Sequence, residues 1–96
     1  MKIVWSPLAI DRVRDIANYI ALDKVSAAQS WVEGIFDSVK RLENFPKSGR
    51  KVPEINRENM REIVNGNYRI IYKIENNEIL VLTVKNHRQQ LDQGGL

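Results

Sequence analysis

Among the residues of this 96-residue chain that could do chemistry without a metal are its arginines, its lysines and its single histidine, His87. The stretch NYRIIYKIENNEILVLTVKNHRQQ seats Arg69 among isoleucines and tyrosines and ends on His87-Arg88. Arginines fixed on a strand can hold phosphate oxygens, and an imidazole exchanges protons near neutral pH. Arg69, Arg88 and His87 are therefore the catalytic candidates if the chain cleaves a phosphodiester. Arg61, Lys73 and Asn86 are candidates for binding RNA or a partner. Lys47, Arg50 and Lys51 form a basic loop, a pattern that by itself also describes an ordinary solvated turn. The chain has no cysteine, and no acidic or histidine cluster suggests a metal site. No Gly-rich phosphate loop or nucleophile–base motif occurs, and no cofactor is expected.

These residues need a scaffold. A strand at KIVW (2–5) is followed by Ser6 as N-cap and Pro7 at the first helical position. Ala9, Val13, Ile16, Ala17 and Ile20 then recur at helical spacing to about Leu22. Ser6 has a counterpart in Ser26, expected to cap a second helix over residues 27–44 with Ala28, Trp31, Val32, Ile35, Phe36, Val39 and Leu42 as its apolar stripe. So short a connection makes the two helices an antiparallel hairpin. Pro46, Gly49 and Pro53 argue against regular structure over 45–54. Strands follow at MREIV (60–64), YRIIYKIE (68–75) and EILVLTVKN (78–86). The order β-α-α-β-β-β predicts an α+β domain over residues 1–90, with a helical hairpin on one face of a mainly antiparallel sheet and a Gly-rich tail at 91–96.

Register decides what faces what. A two-residue Asn76-Asn77 turn pairs Glu75 with Glu78 and Arg69 with Val84. Arg69, Lys73, Asn86 and Arg88 then share one face with Ile71, Leu80, Leu82 and Val84. Tyr68, Ile70, Tyr72, Ile74, Ile79 and Val81 face the helices. The favoured Asn65-Gly66 turn sets Glu62 opposite Arg69 as an ion pair, whereas a loop longer by one residue brings Arg61 onto the Arg69 face instead. Trp5, Trp31, Tyr68 and Tyr72 read as core.

The net charge of +3 permits an anionic partner without demanding one. At 43% hydrophobic and 28% charged the chain is ordinary for a folded domain, with no run long enough to span a membrane and no leader-like start. A cytoplasmic location is the expectation.

Taken together, WSPLAIDRVRDIANYIA, LENFPKSGRKVPE and the run from NGNYRIIYKIENNEILVLTVKNHRQ resemble the RelE/ParE superfamily of toxins from type II toxin–antitoxin modules, over about residues 3 to 90. The resemblance implies a small toxin neutralised by a cognate antitoxin in a hetero-oligomer. RelE-like members cleave mRNA on the translating ribosome without a metal, and ParE-like members poison DNA gyrase. It places Arg69 where RelE-like toxins keep a phosphate-contacting arginine, Arg88 on the basic position closing the last strand, and Arg61 near a lysine-bearing position. Two departures count against the nuclease: Ile63 stands at a position that is basic there, and QLDQGGL lacks the C-terminal tyrosine. The hairpin and FPKSGR loop are more similar to the ParE-like branch. The leading expectation is a gyrase poison, the alternative a ribosome-dependent endoribonuclease, and a third reading a toxin-like fold kept only as an interaction module.

Overall fold

The computed structural model describes residues 1–87, so Arg88, residues 89–90 and the 91–96 tail lie outside the described residues. Strand β1 (Lys2–Trp5) runs into helix α1 (Pro7–Ala21), followed by α2 (Val25–Lys40) and a 3-10 turn at Arg41–Glu43. Strands β2 (Arg50–Lys51), β3 (Met60–Asn65), β4 (Tyr68–Glu75) and β5 (Glu78–Asn86) complete the chain. The sheet order is β1-β5-β4-β3-β2, with β1 parallel to β5 and all other pairs antiparallel. Two helices thus pack on a mixed, mostly antiparallel five-stranded sheet, an α+β fold.

Ser6 begins α1 as its side-chain spacing requires. Its Oγ accepts from the Ala9 N–H at 3.0 Å and donates to the Leu82 carbonyl at 2.8 Å, while its own N–H donates to Val81 O at 2.9 Å. One residue therefore caps a helix and ties it to β5. The second helix departs from expectation. Lys24, extended at φ −154°, is its N-cap and makes no side-chain capping bond, so α2 begins at Val25, one residue before Ser26, and gives way to the 3-10 turn at Arg41. Packing of its apolar stripe substitutes for a cap. Ala28, Ile35, Val39 and Leu42 are buried, and Trp31 meets Tyr68 edge-on at 5.2 Å.

The main core lies between helices and sheet, where Ala9, Val13, Ile35 and Val39 meet Ile70, Tyr72, Ile79, Val81 and Val84. A second, smaller cluster sits on the far face: Val52, Met60 and Ile71, with Ile55 and Leu82 against them. The loop after β2 therefore covers part of the face expected to be open. Proline and glycine did not keep 45–54 free of regular structure either, because Arg50 and Lys51 pair with Glu62 and Arg61 as an edge strand. Gly49 enters that edge where a Cβ would lie 2.5 Å from the Glu62 carbonyl oxygen and 2.6 Å from the Tyr72 hydroxyl. Only glycine fits there without displacing backbone.

Both hairpins correct the expected register. Asn76 and Asn77 take positive φ (51° and 61°), as the primed turn needs, and Glu75 pairs with Glu78. Between Ile71 and Tyr72 the register slips, however, so that Arg69 stands opposite Lys85 and Ile70 opposite Val84. Leu82 is the extra residue. Val84 and Asn86 consequently move to the helix side and Thr83 and Lys85 to the Arg69 side. The ILVLTV run hides this, because every residue in it suits either face. The β3–β4 turn is centred on Gly66 (φ 58°) and Asn67, with Asn65 paired to Tyr68, not on Asn65-Gly66. Val64 is thus opposite Arg69, and Glu62 lies two pairs further along, opposite Ile71. A shift of the turn by one residue changes the register by two, which preserves faces.

Candidate functional site

Arg69 sits on the sheet face away from the helices and is 4% exposed. Burying a guanidinium demands anionic partners, and two glutamates supply them. Nε and Nη2 donate to Glu62 Oε1 at 2.8 and 2.5 Å, while Nη1 and Nη2 donate to Glu54 Oε2 and Oε1, both at 2.8 Å. Glu62, from β3, is 1% exposed and also receives Arg50, whose Nε donates to Oε2 at 2.7 Å and whose Nη2 lies 2.6 Å from it. Glu54 comes from the loop that caps the far-face cluster. The hydrogen bond from Arg69 to Glu54, ahead of those to Glu62, drives the guanidinium pKa further above its already high value, against the opposing pull of burial. The expected Glu62–Arg69 ion pair is present, though diagonal instead of directly opposed.

A shallow depression of about 480 Å³ opens beside this network, lined by Arg50, Pro53, Glu54, Arg69 and His87. His87 is exposed there, and its N–H donates to the Asn67 carbonyl. Two of the three residues expected to act together, Arg69 and His87, therefore meet in one place. The third, Arg88, lies outside the described residues. Chemically, the depression presents one buried, fully countered arginine, one half-exposed arginine and an imidazole.

The remaining candidates part company. Lys73 shares the Arg69 strand face as expected and pairs with Glu75 at 3.3 Å. Asn86 does not share it: the β5 bulge sets it opposite Tyr68, where it lines a separate cleft with Tyr68, Arg12, Asp15 and Ile16. Arg61 points away as well, opposite Tyr72, and is consumed by the basic loop. Its Nη1 donates to the carbonyls of Gly49 (2.8 Å) and Lys47 (3.3 Å), and its Nε to that of Glu58 (3.0 Å). Glu54 was missed by sequence reasoning. It follows Pro53 in a loop without periodicity, so no spacing rule could aim it at Arg69.

Among the described residues no group of three or more His, Cys, Asp or Glu could hold a metal ion, and no helix is long and apolar enough to cross a membrane.

No curated protein is similar enough to this chain to count as a relative. A solved structure described as a chromosomal ParDE TA system from P. aeruginosa is similar in fold, with a TM-score of 0.75 over 90% of this chain and 95% of that chain, at 20% sequence identity. The family model for the ParE toxin of the parDE type II toxin–antitoxin system matches residues 3–91. With the helical hairpin, the five-stranded sheet and a match over nearly its whole length, the chain belongs to the ParE toxin family of type II toxin–antitoxin systems.

Proposed function

We propose that the chain is a toxin that poisons DNA gyrase by binding it, and that a cognate antitoxin neutralises it in a cytoplasmic hetero-oligomer. The observation that carries this over RNA cleavage is the state of Arg69. A nuclease arginine must offer N–H groups to a phosphorane, and here Nε, Nη1 and Nη2 all donate to Glu54 and Glu62. Freeing them would break both ion pairs and leave the buried Glu62 with Arg50 as its remaining cation. The helical hairpin adds support for a protein partner: Tyr19, Leu22 and Val25 are 73%, 84% and 62% exposed at its tip. Beside them a groove of about 530 Å³ runs between the helices over Ala17, Ala21 and Ala28. Apolar surface of this kind suits burial against protein. The antitoxin would cover part of the hairpin or of the far sheet face.

The test is supercoiling of relaxed plasmid by purified gyrase. Added toxin should inhibit it and accumulate cleaved DNA, and unchanged supercoiling at molar excess would sink the reading.

One observation favours the alternative, a ribosome-dependent endoribonuclease: Arg69 and His87 line the same depression. That reading expects codon-phased cuts in translated messages that disappear in His87→Ala. Cuts that survive this exposed substitution would remove His87 from the chemistry.

A further inference from the structure

Away from the Arg69 network, three cations converge on one carboxylate. Arg61 Nη2 lies 2.5 Å from Glu58 Oε1, Lys47 Nζ 3.8 Å from the same oxygen, and Lys51 Nζ 3.7 Å from Oε2. The Glu58 side chain is 61% exposed, as are Lys47 (68%) and Lys51 (50%), whereas Arg61 is only 11% exposed. The scaffold, and not the Glu58 carboxylate alone, fixes Arg61 and the backbone that carries Lys47. Arg61 is fixed by the carbonyls of Lys47, Gly49 and Glu58, and the loop carrying Lys47 is pinned by the Tyr72 hydroxyl, which donates to Pro46 O at 2.7 Å and accepts from Gly49 N–H at 3.1 Å. Three positive charges on one negative leave a local excess of two, against +3 for the whole chain. The Glu58 carboxyl is held below its usual range, first by the Arg61 hydrogen bond and charge and then, against slight desolvation, by Lys51 and Lys47.

We propose that Lys47, Lys51 and Arg61 form a receiving site for an acidic side chain of a partner polypeptide, with Glu58 as its internal stand-in. A carboxylate already fits the point where the cations meet. The two lysine pairs are exposed and contribute little each, and Glu58 itself stands in solvent, so a competing carboxylate can take its place on Arg61 once other contacts hold it nearby. Phe45, 66% exposed two residues before Lys47, offers such an apolar contact. A nucleic-acid backbone is the poorer fit, since it neutralises cations spread along a track and these three meet at one point. The inference is independent of gyrase as the target.

The experiment is fluorescence anisotropy of a labelled hexaglutamate peptide at low ionic strength, with a duplex DNA of matched charge in parallel. Glu58→Gln should bind the peptide about fivefold more tightly than the unaltered chain, the scale that release of several surface ion pairs allows. Glu33→Gln makes the same charge change on an exposed face of α2 and should gain less than about twofold by general electrostatics. Adding Lys47→Ala and Lys51→Ala to Glu58→Gln should erase the gain. Equal gains for Glu58→Gln and Glu33→Gln, a gain that survives loss of both lysines, or an equal or larger gain for DNA would each overturn the proposal. All the altered side chains are exposed, and matching thermal melts establish that the variants remain folded.

Discussion

Replacing Arg69 with methionine probes the network at the centre of the far face. The substitution keeps much of the aliphatic stem and removes the charge from between Glu62, whose side chain is 0% exposed, and Glu54, at 20%. Removing one partner of a buried ion pair costs about 3–5 kcal/mol, because the surviving charge has lost its solvent without compensation. Arg50 remains on Glu62, and water can reach Glu54, so the lower end, about 3 kcal/mol, is expected. For a domain of this size, that loss lowers the melting temperature by about 12–24 °C. Urea unfolding followed by circular dichroism at neutral pH measures it. Glu62→Gln added to Arg69→Met should restore part of the loss, since it neutralises one stranded carboxylate, and the two changes should therefore be non-additive. A loss below about 1 kcal/mol, the range of surface pairs, with simple additivity would refute the reasoning. This outcome also bears on function. Loss of toxicity in an Arg69 variant would report unfolding as readily as chemistry, which is why exposed His87 is the informative probe of RNA cleavage.

Tyr72→Phe removes the hydroxyl shared by Pro46 O and Gly49 N–H, and should cost about 1–3 kcal/mol in the same unfolding assay. Burial raises the Tyr72 pKa above its usual value near 10.0, so the folded state holds this proton more tightly than the unfolded chain. That stability is present below about pH 10 and is lost as pH rises through the raised value, and Tyr72→Phe should flatten this part of the alkaline unfolding profile. Gly49→Ala should cost about 1–3 kcal/mol or prevent folding, because the new methyl meets a backbone carbonyl that cannot move aside; a melt unchanged from the parent would show that the β2 edge yields. Thr83→Val should stabilise by about 1 kcal/mol, since the Thr83 hydroxyl is buried without a hydrogen-bond partner among the described residues; destabilisation in urea would reveal a hidden bond.

The sequence by itself determined the layers and every element except the β2 edge strand. Ser6-Pro7 marks the start of α1, Asn76-Asn77 forms the primed turn, and alternation places Ile70, Tyr72, Ile79 and Val81 under the helices, all from local geometry and apolar periodicity. The far face was legible up to Glu62, because a strand's two-residue period preserves the Glu62–Arg69 face even when the turn moves by one. Tertiary structure alone decided the rest. The Leu82 bulge exchanged Asn86 for Lys85 beside Arg69, and neither residue's type records that an extra one is present upstream. The loop holding Glu54 and Glu58 has no period, so its aim at Arg69 and at the Lys47–Lys51–Arg61 cluster emerges only when Val52 and Ile55 pack on Met60 and Ile71. Charges so gathered come from positions distant in the chain. Local sequence carries the propensity of each residue, while the field each one feels is a property of the folded whole.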